Sequence, residues 1–204
     1  MKTMNNRKEI KEKLNMEPVN KRIITGAMEV FADIGYKKAT VKDIVSRANV
    51  SHGTFYNYFK NKPDLLNSMV NQLIRNIDSY THPSNRTLNL YEKMRMEAIK
   101  ILEYYITNRN VLIALKEAKM FDRKFEEGWL KISEGLFRRI ERDISGAIDK
   151  GLFRKVKLDV TIRSITSMFE GYGYHLMMND HNEKEVYEVA DSLTKLCYKA
   201  LFKD

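Results

Sequence analysis

With 204 residues, 43% of them apolar, the chain is long enough for one large domain or two small ones, and no stretch reaches the roughly 18 uninterrupted apolar residues of a membrane span. The polar start "MKTMNNRKEIKEKLN" lacks the apolar stretch of a secretory signal, one cysteine (Cys197) permits no internal disulfide, and no Cys/His spacing suits zinc, so a cytoplasmic protein without a metal is expected. The net charge of +9 is uneven: residues 1–80 hold 14 basic and 8 acidic side chains, a balance that suits nucleic acid first and an anionic membrane surface second, beside the plainer reading of solubility charge.

Helical periodicity runs almost throughout and strand-like alternation is absent, which predicts an all-α protein of about nine helices. A charged arm occupies 1–17. Pro18 suits a first helical position, Ile23, Ala27, Val30, Phe31 and Ile34 repeat at helix spacing, and Gly35 supplies a stop. A short helix starts at Thr40, which forms a capping pair with Asp43 and carries the stripe Val41, Ile44, Val45, Ala48. "NVS" is a tight turn, and Ser51 caps a third helix running to about Phe59. Asn61 caps a fourth, with Pro63 and Asp64 in its first turn, continuing to about residue 80. "THPSNRT" (81–87) is the clearest linker. Helices of about 88–108, 110–121, 123–150, 159–178 and 182–202 follow, the fourth of these capped by Asp159 and the last by an Asn182/Glu185 pair. The expected domains are 18–66, a three-helix helix-turn-helix unit, and 81–204, a larger helical one.

The stretch "SHGTFYNYFKNK" holds the chemistry. At about 100° per residue, Phe55 and Phe59 share one face and pack with Phe31 and Ile44, whereas Gly53 and Asn57 lie opposite, with Tyr56 and Tyr58 on the flanks. This is the layout of a major-groove reader: Asn57 and Thr54 toward base edges, tyrosine hydroxyls toward the phosphates of both groove walls, and Gly53 permitting close approach. Thr40 and Lys62, at two helix starts, place a hydroxyl and a cation where phosphates can sit. The alternative is a surface helix whose tyrosines merely cover core.

"ATVKDIVSRANVSHGTFYNYFKNKPDLL" closely resembles the DNA-binding segment of TetR-like (tetracycline-repressor, AcrR type) transcriptional regulators, over about Lys21 to Leu66. The resemblance implies DNA contacts from Thr40, Ser51, Gly53, Thr54, Tyr56, Tyr58 and Lys62. Two positions depart from the family pattern: His52 stands where lysine is frequent, and Asn57 where a third aromatic is common. Both are expected to tune the choice of DNA site. The remainder matches the family in architecture, a variable helical domain ending in two helices that dimerise.

A single reader grips few phosphates, so a homodimer on a palindromic operator in double-stranded DNA is expected. Ile165, Phe169, Gly171 and Gly173 in one helix, and Val186, Val189, Leu193, Leu196 and Cys197 in the last, are the predicted dimer surface; packing within one protomer is the alternative. Met94, Tyr104, Tyr105, Met120, Phe121, Trp129, Phe137, Met168 and Tyr172 offer a soft apolar lining for a small, largely apolar effector, or plain core. Glu170 suits a cationic group on such a ligand, or solvent. His82, His175 and His181 show no metal-ligand spacing. No Gly-rich phosphate loop, Gly-x-Ser-x-Gly or His-Glu-x-x-His motif is present, so no enzyme and no cofactor are expected. The predicted function is a transcriptional repressor released by an effector; the alternative keeps the DNA reader under a protein partner.

Overall fold

The computed structural model describes residues 18–80, 89–149, 151, 154, 156–179 and 183–202. The expected arm at 1–17, the linker at 81–87, His82, His181 and Asn182 lie outside the described residues. Among the described residues there are nine α-helices and no strand: α1 (Val19–Ile34), α2 (Val41–Ala48), α3 (His52–Tyr58), α4 (Lys62–Tyr80), α5 (Leu90–Thr107), α6 (Arg109–Ala118), α7 (Arg123–Asp149), α8 (Leu158–Met178) and α9 (Glu183–Leu201). No helix there is long and apolar enough to cross a membrane.

Side chains set most of the boundaries. Thr40 and Asp43 form a full capping box on α2, Ser51 accepts from the Thr54 amide at the start of α3, and Asn61 accepts from the Asp64 amide at the start of α4. A further box, Asn89 with Glu92, opens α5 two residues later than periodicity alone suggests. Three further boundaries differ from expectation. Pro18 is the N-cap, outside the helix, its carbonyl accepting from Lys21 and Arg22. Asp159 does not cap α8; it lies inside the first turn, after Lys157, where a carboxylate meets the helix dipole instead. Helix α6 stops at Ala118: after the Lys119 amide, Met120 bonds back only three residues to Glu117 and Phe121 to Ala118, closing a tight turn.

The chain divides into two compact units that do not follow its linear order. The first runs up to Asn71 and adds Asn110–Glu126; the second comprises Gln72–Arg109 and the residues from Glu127 onward. In the first, α1 packs on α2 so closely that a Cβ at Gly26 would lie 2.9 Å from the Ala48 nitrogen. Phe31, Ile44 and Phe55 are buried there, as is Phe59. In the second, α5 packs against α8 and α9. Its core includes Tyr104, Tyr105, Trp129, Phe137 and Phe169.

Candidate nucleic-acid interface

The turn between α2 and α3 is built before α3 begins. Asn49 takes the left-handed conformation (φ 52°, ψ 52°), which asparagine tolerates, and its amide closes on the carbonyls of Val45 and Ser46. Arg22 reaches across from α1 and donates Nη2 to the carbonyl oxygens of Ala48, at 3.0 Å, and Asn49. A buried guanidinium therefore satisfies the carbonyl end of α2, a function that motif reading misses. It does leave a signal: Arg22 interrupts the apolar stripe of α1 between Val19 and Ile23.

Helix α3 has seven residues, too short to stand alone, and its phenylalanines hold it. Phe55 is fully buried and its ring lies 5.8 Å from that of Phe59. Tyr56 packs edge-on against Phe55 at 5.4 Å, and Tyr58 lies tilted beside Phe59 at 6.5 Å. Both tyrosines nevertheless remain half exposed, at 56% and 49%. Ser51, His52, Gly53 and Asn57 are exposed, and Thr54 is half-buried. The described geometry thus brings aromatic braces and small polar groups onto one outward face. The Thr54 hydroxyl lies 2.8 Å from Ser51 Oγ, so these two hydroxyls orient each other.

At the start of α2, Thr40 is exposed, and its hydroxyl donates to Asp43 Oδ2 at 2.6 Å. That bond, with one from the Thr40 backbone, holds the Asp43 carboxyl below its ordinary pKa. What α2 offers a phosphate is its first unpaired amides and the exposed Lys42. Lys62 departs from expectation. Its ammonium donates to the carbonyls of Tyr36 (2.6 Å) and Ala39 (2.7 Å) and sits 4.4 Å above the Tyr36 ring, so its donors serve the protein rather than a phosphate. Burial lowers its pKa.

Residues 23–69 match the family profile described as "Bacterial regulatory proteins, tetR family". Over that segment the chain is TetR-like. It is 24% identical over 172 residues to the transposon Tn10 TetC protein of Escherichia coli, covering 84% of this chain and 85% of that one. It is 46% identical over 52 residues to a fatty acid metabolism regulator protein of Bacillus subtilis, 26% of this chain and 27% of that one. A bacterial regulatory protein in the tetR family from Rhodococcus RHA1 shares the fold with a TM-score of 0.76 at 18% identity, over 93% of this chain and all of the other. The fatty acid degradation regulator FadR from Bacillus halodurans does so with a TM-score of 0.72 at 20% identity, over 89% and 95%. The TetR-like chain is accordingly a DNA-binding transcriptional regulator and not an enzyme.

In the second unit of the TetR-like chain, the predicted lining separates. Met94, Tyr104, Tyr105, Trp129 and Phe137 are buried, and Met168 is half-buried. Tyr172 is 43% exposed, and Met120 (76%) and Phe121 (63%) are exposed in the first unit, so these three do not join that cluster. Glu170 accepts a hydrogen bond from the buried Ser133, and burial, then the Glu170 charge, push the Tyr105 phenol strongly upward. A groove of about 420 Å³ beside this pair is lined by Ser133, Glu134, Phe137, Arg138, Glu141, Ile162 and Thr166.

The predicted dimer stripes face inward. Ile165, Phe169, Gly173, Val186, Leu193 and Cys197 are buried within the protomer, Val189 is half-buried, and only Gly171 and Leu196 are exposed. Burial pushes the Cys197 thiol up to about 11, which fits a small buried hydrophobe. Gly173 has no room for a side chain because the Tyr105 ring fills the space. Gly171, by contrast, faces open space. His175 pairs with Asn179, the C-cap of its helix, and no His/Cys/Asp/Glu group among the described residues has a metal-site arrangement.

Proposed function

We propose that this TetR-like regulator is a cytoplasmic homodimeric repressor whose two α3 helices read a palindromic operator, and that a small, largely apolar effector releases it. The observation that carries the reading is the two-sidedness of α3: Phe55 has no exposed surface, while Tyr56 and Tyr58 stand half exposed around Asn57. Such a helix presents short hydrogen-bonding groups to base edges between two phosphate-reaching hydroxyls.

The dimer surface proposed is the outward face of α8 rather than its buried stripe. Val160, Ser164, Ser167, Gly171, Tyr174 and Met178 recur there at helical spacing and are exposed. Small residues at its centre allow close helix approach, and apolar ones surround them. For the effector, the buried Met94, Tyr105, Trp129 and Phe137 supply adaptable apolar lining, with Glu170 and Ser133 as the polar pair beside it.

Selection from a randomised duplex library tests the reading. The expected product is a palindrome whose half-sites lie about 34–36 Å apart, one helical turn; failure to enrich any sequence overturns it. Thermal shift against a metabolite library that includes fatty acids, chosen because two similar proteins are described as fatty acid regulators, tests the effector. Stabilisation by none of the compounds would favour control by a protein partner.

A further inference from the structure

We propose that Lys62 and Glu117 are positioning residues for DNA binding, which clamp the α1–α2 turn from two sides and so set where the N-terminus of α2 meets the DNA. This rests on the reading that Thr40 and the first amides of α2 face the phosphate backbone. The turn Gly35–Ala39 has its carbonyls on one grip and an amide on the other. From α4, the Lys62 ammonium takes the Tyr36 and Ala39 oxygens at 2.6 and 2.7 Å and lies 3.4 Å from that of Lys37. From α6, Glu117 Oε2 accepts from the Lys37 amide at 3.1 Å.

Both grips are specific to this geometry. Gly35 has φ +79°, which L side chains rarely adopt, and a Cβ there would lie 3.1 Å from Glu117 Oε1, tight against the carboxylate. The Tyr36 ring packs edge-on against Phe31 at 5.3 Å and Phe125 at 6.3 Å. Lys37 Nζ lies 4.7 Å from the centre of the Phe121 ring. Thr40, the cap of α2, follows Ala39 directly, so a shift of the clamp is a shift of α2's positive end. All of these residues belong to the first compact unit.

Coulomb's law gives the test its sign. Glu117 is a negative charge in a unit that binds a polyanion; removing it by charge alone strengthens binding. Positioning predicts the reverse. Operator affinity of the full-length protein is measured by fluorescence anisotropy over a range of salt, well below the melting temperature of each variant. Glu117→Ala is expected to weaken binding about tenfold, and Lys62→Met similarly, with the slope of log K against log salt unchanged in both. Were Lys62 itself bound to a phosphate, its replacement would flatten that slope by about 0.9 per reader.

Unchanged or tighter binding by Glu117→Ala overturns the proposal, as does a flattened slope or wild-type affinity for Lys62→Met. A purely structural role would lower the melting temperature and leave the affinity of the folded protein intact. If Lys62→Met does not fold, Glu117→Ala decides alone. Failure of the α3 reading shows separately, as unaltered base preference in Asn57→Ala.

Discussion

A methyl group added at Gly173 would come within 2.5 Å of the Tyr105 ring, whereas one added at Gly53 meets nothing nearer than Ser51 Oγ at 3.8 Å. Packing therefore demands a glycine at 173 and not at 53, where the proposed close approach to DNA gives the reason for one. Gly173→Ala should destabilise the protein by about 1–3 kcal/mol through overpacking, read as a lowered midpoint in denaturant. Gly53→Ala should gain roughly 0.4–1 kcal/mol of stability, since its φ is not positive, yet lose operator affinity because the backbone is held off the groove. Tighter DNA binding by Gly53→Ala would refute the close approach. Beside it, Asn57→Ala should relax base preference at one position per half-site at a cost of about 1–3 kcal/mol, while Tyr56→Phe weakens all sequences alike. Competition binding with operator variants distinguishes these.

The elements most exposed to single changes are α2 and α3, of eight and seven residues. Neither reaches the length at which propensity sustains a helix, so caps and anchors decide. Phe55→Ala should cost about 3–5 kcal/mol and remove α3 as a unit, seen as loss of DNA binding and of helical ellipticity. The α2 cap carries a pH signature. Because Asp43 titrates below its ordinary 3.8, its contribution is present above that value and is lost as pH falls through the lowered folded pKa. Thr40→Ala should return the Asp43 titration, followed by carboxyl NMR, toward the ordinary value. Caps also explain which boundaries are legible. Thr40, Ser51 and Asn61 announce helices by local chemistry, and all three bonds form. Asp159 misleads because an aspartate in the first turn and one at the cap look alike in sequence. The end of α6 is hidden because the tight turn after Ala118 carries neither glycine nor proline.

At the scale of the whole molecule, periodicity identifies a buried face without saying what buries it. The stripes of α8 and α9 are apolar as their spacing predicts, but Ile165, Phe169, Val186 and Leu193 are covered within the protomer, while α8's outward face mixes serine, glycine and tyrosine. No local rule converts that mixture into an interface; only the packed structure shows it to be open. Gly171→Arg should therefore give a monomer by sedimentation equilibrium, with the fold retained, and operator affinity reduced to that of a single reader; an intact dimer would reject the outward face. The hydrogen bond between Glu117 and Lys37, 80 residues apart, has no signal in the sequence at all.

The membership of Asn110–Glu126 in the same compact unit as α3 bears on modular engineering. Readers of this kind invite transplantation, cutting after α4 and fusing residues up to 80 to a foreign sensor. Such a graft would carry every side chain of α3, the helix proposed to read DNA, and leave behind the carboxylate that grips the turn in front of α2, along with Phe125 beside Tyr36. The transplantable module is discontinuous: a chimera should keep its operator only when the recipient also receives the segment from Asn110 to Glu126.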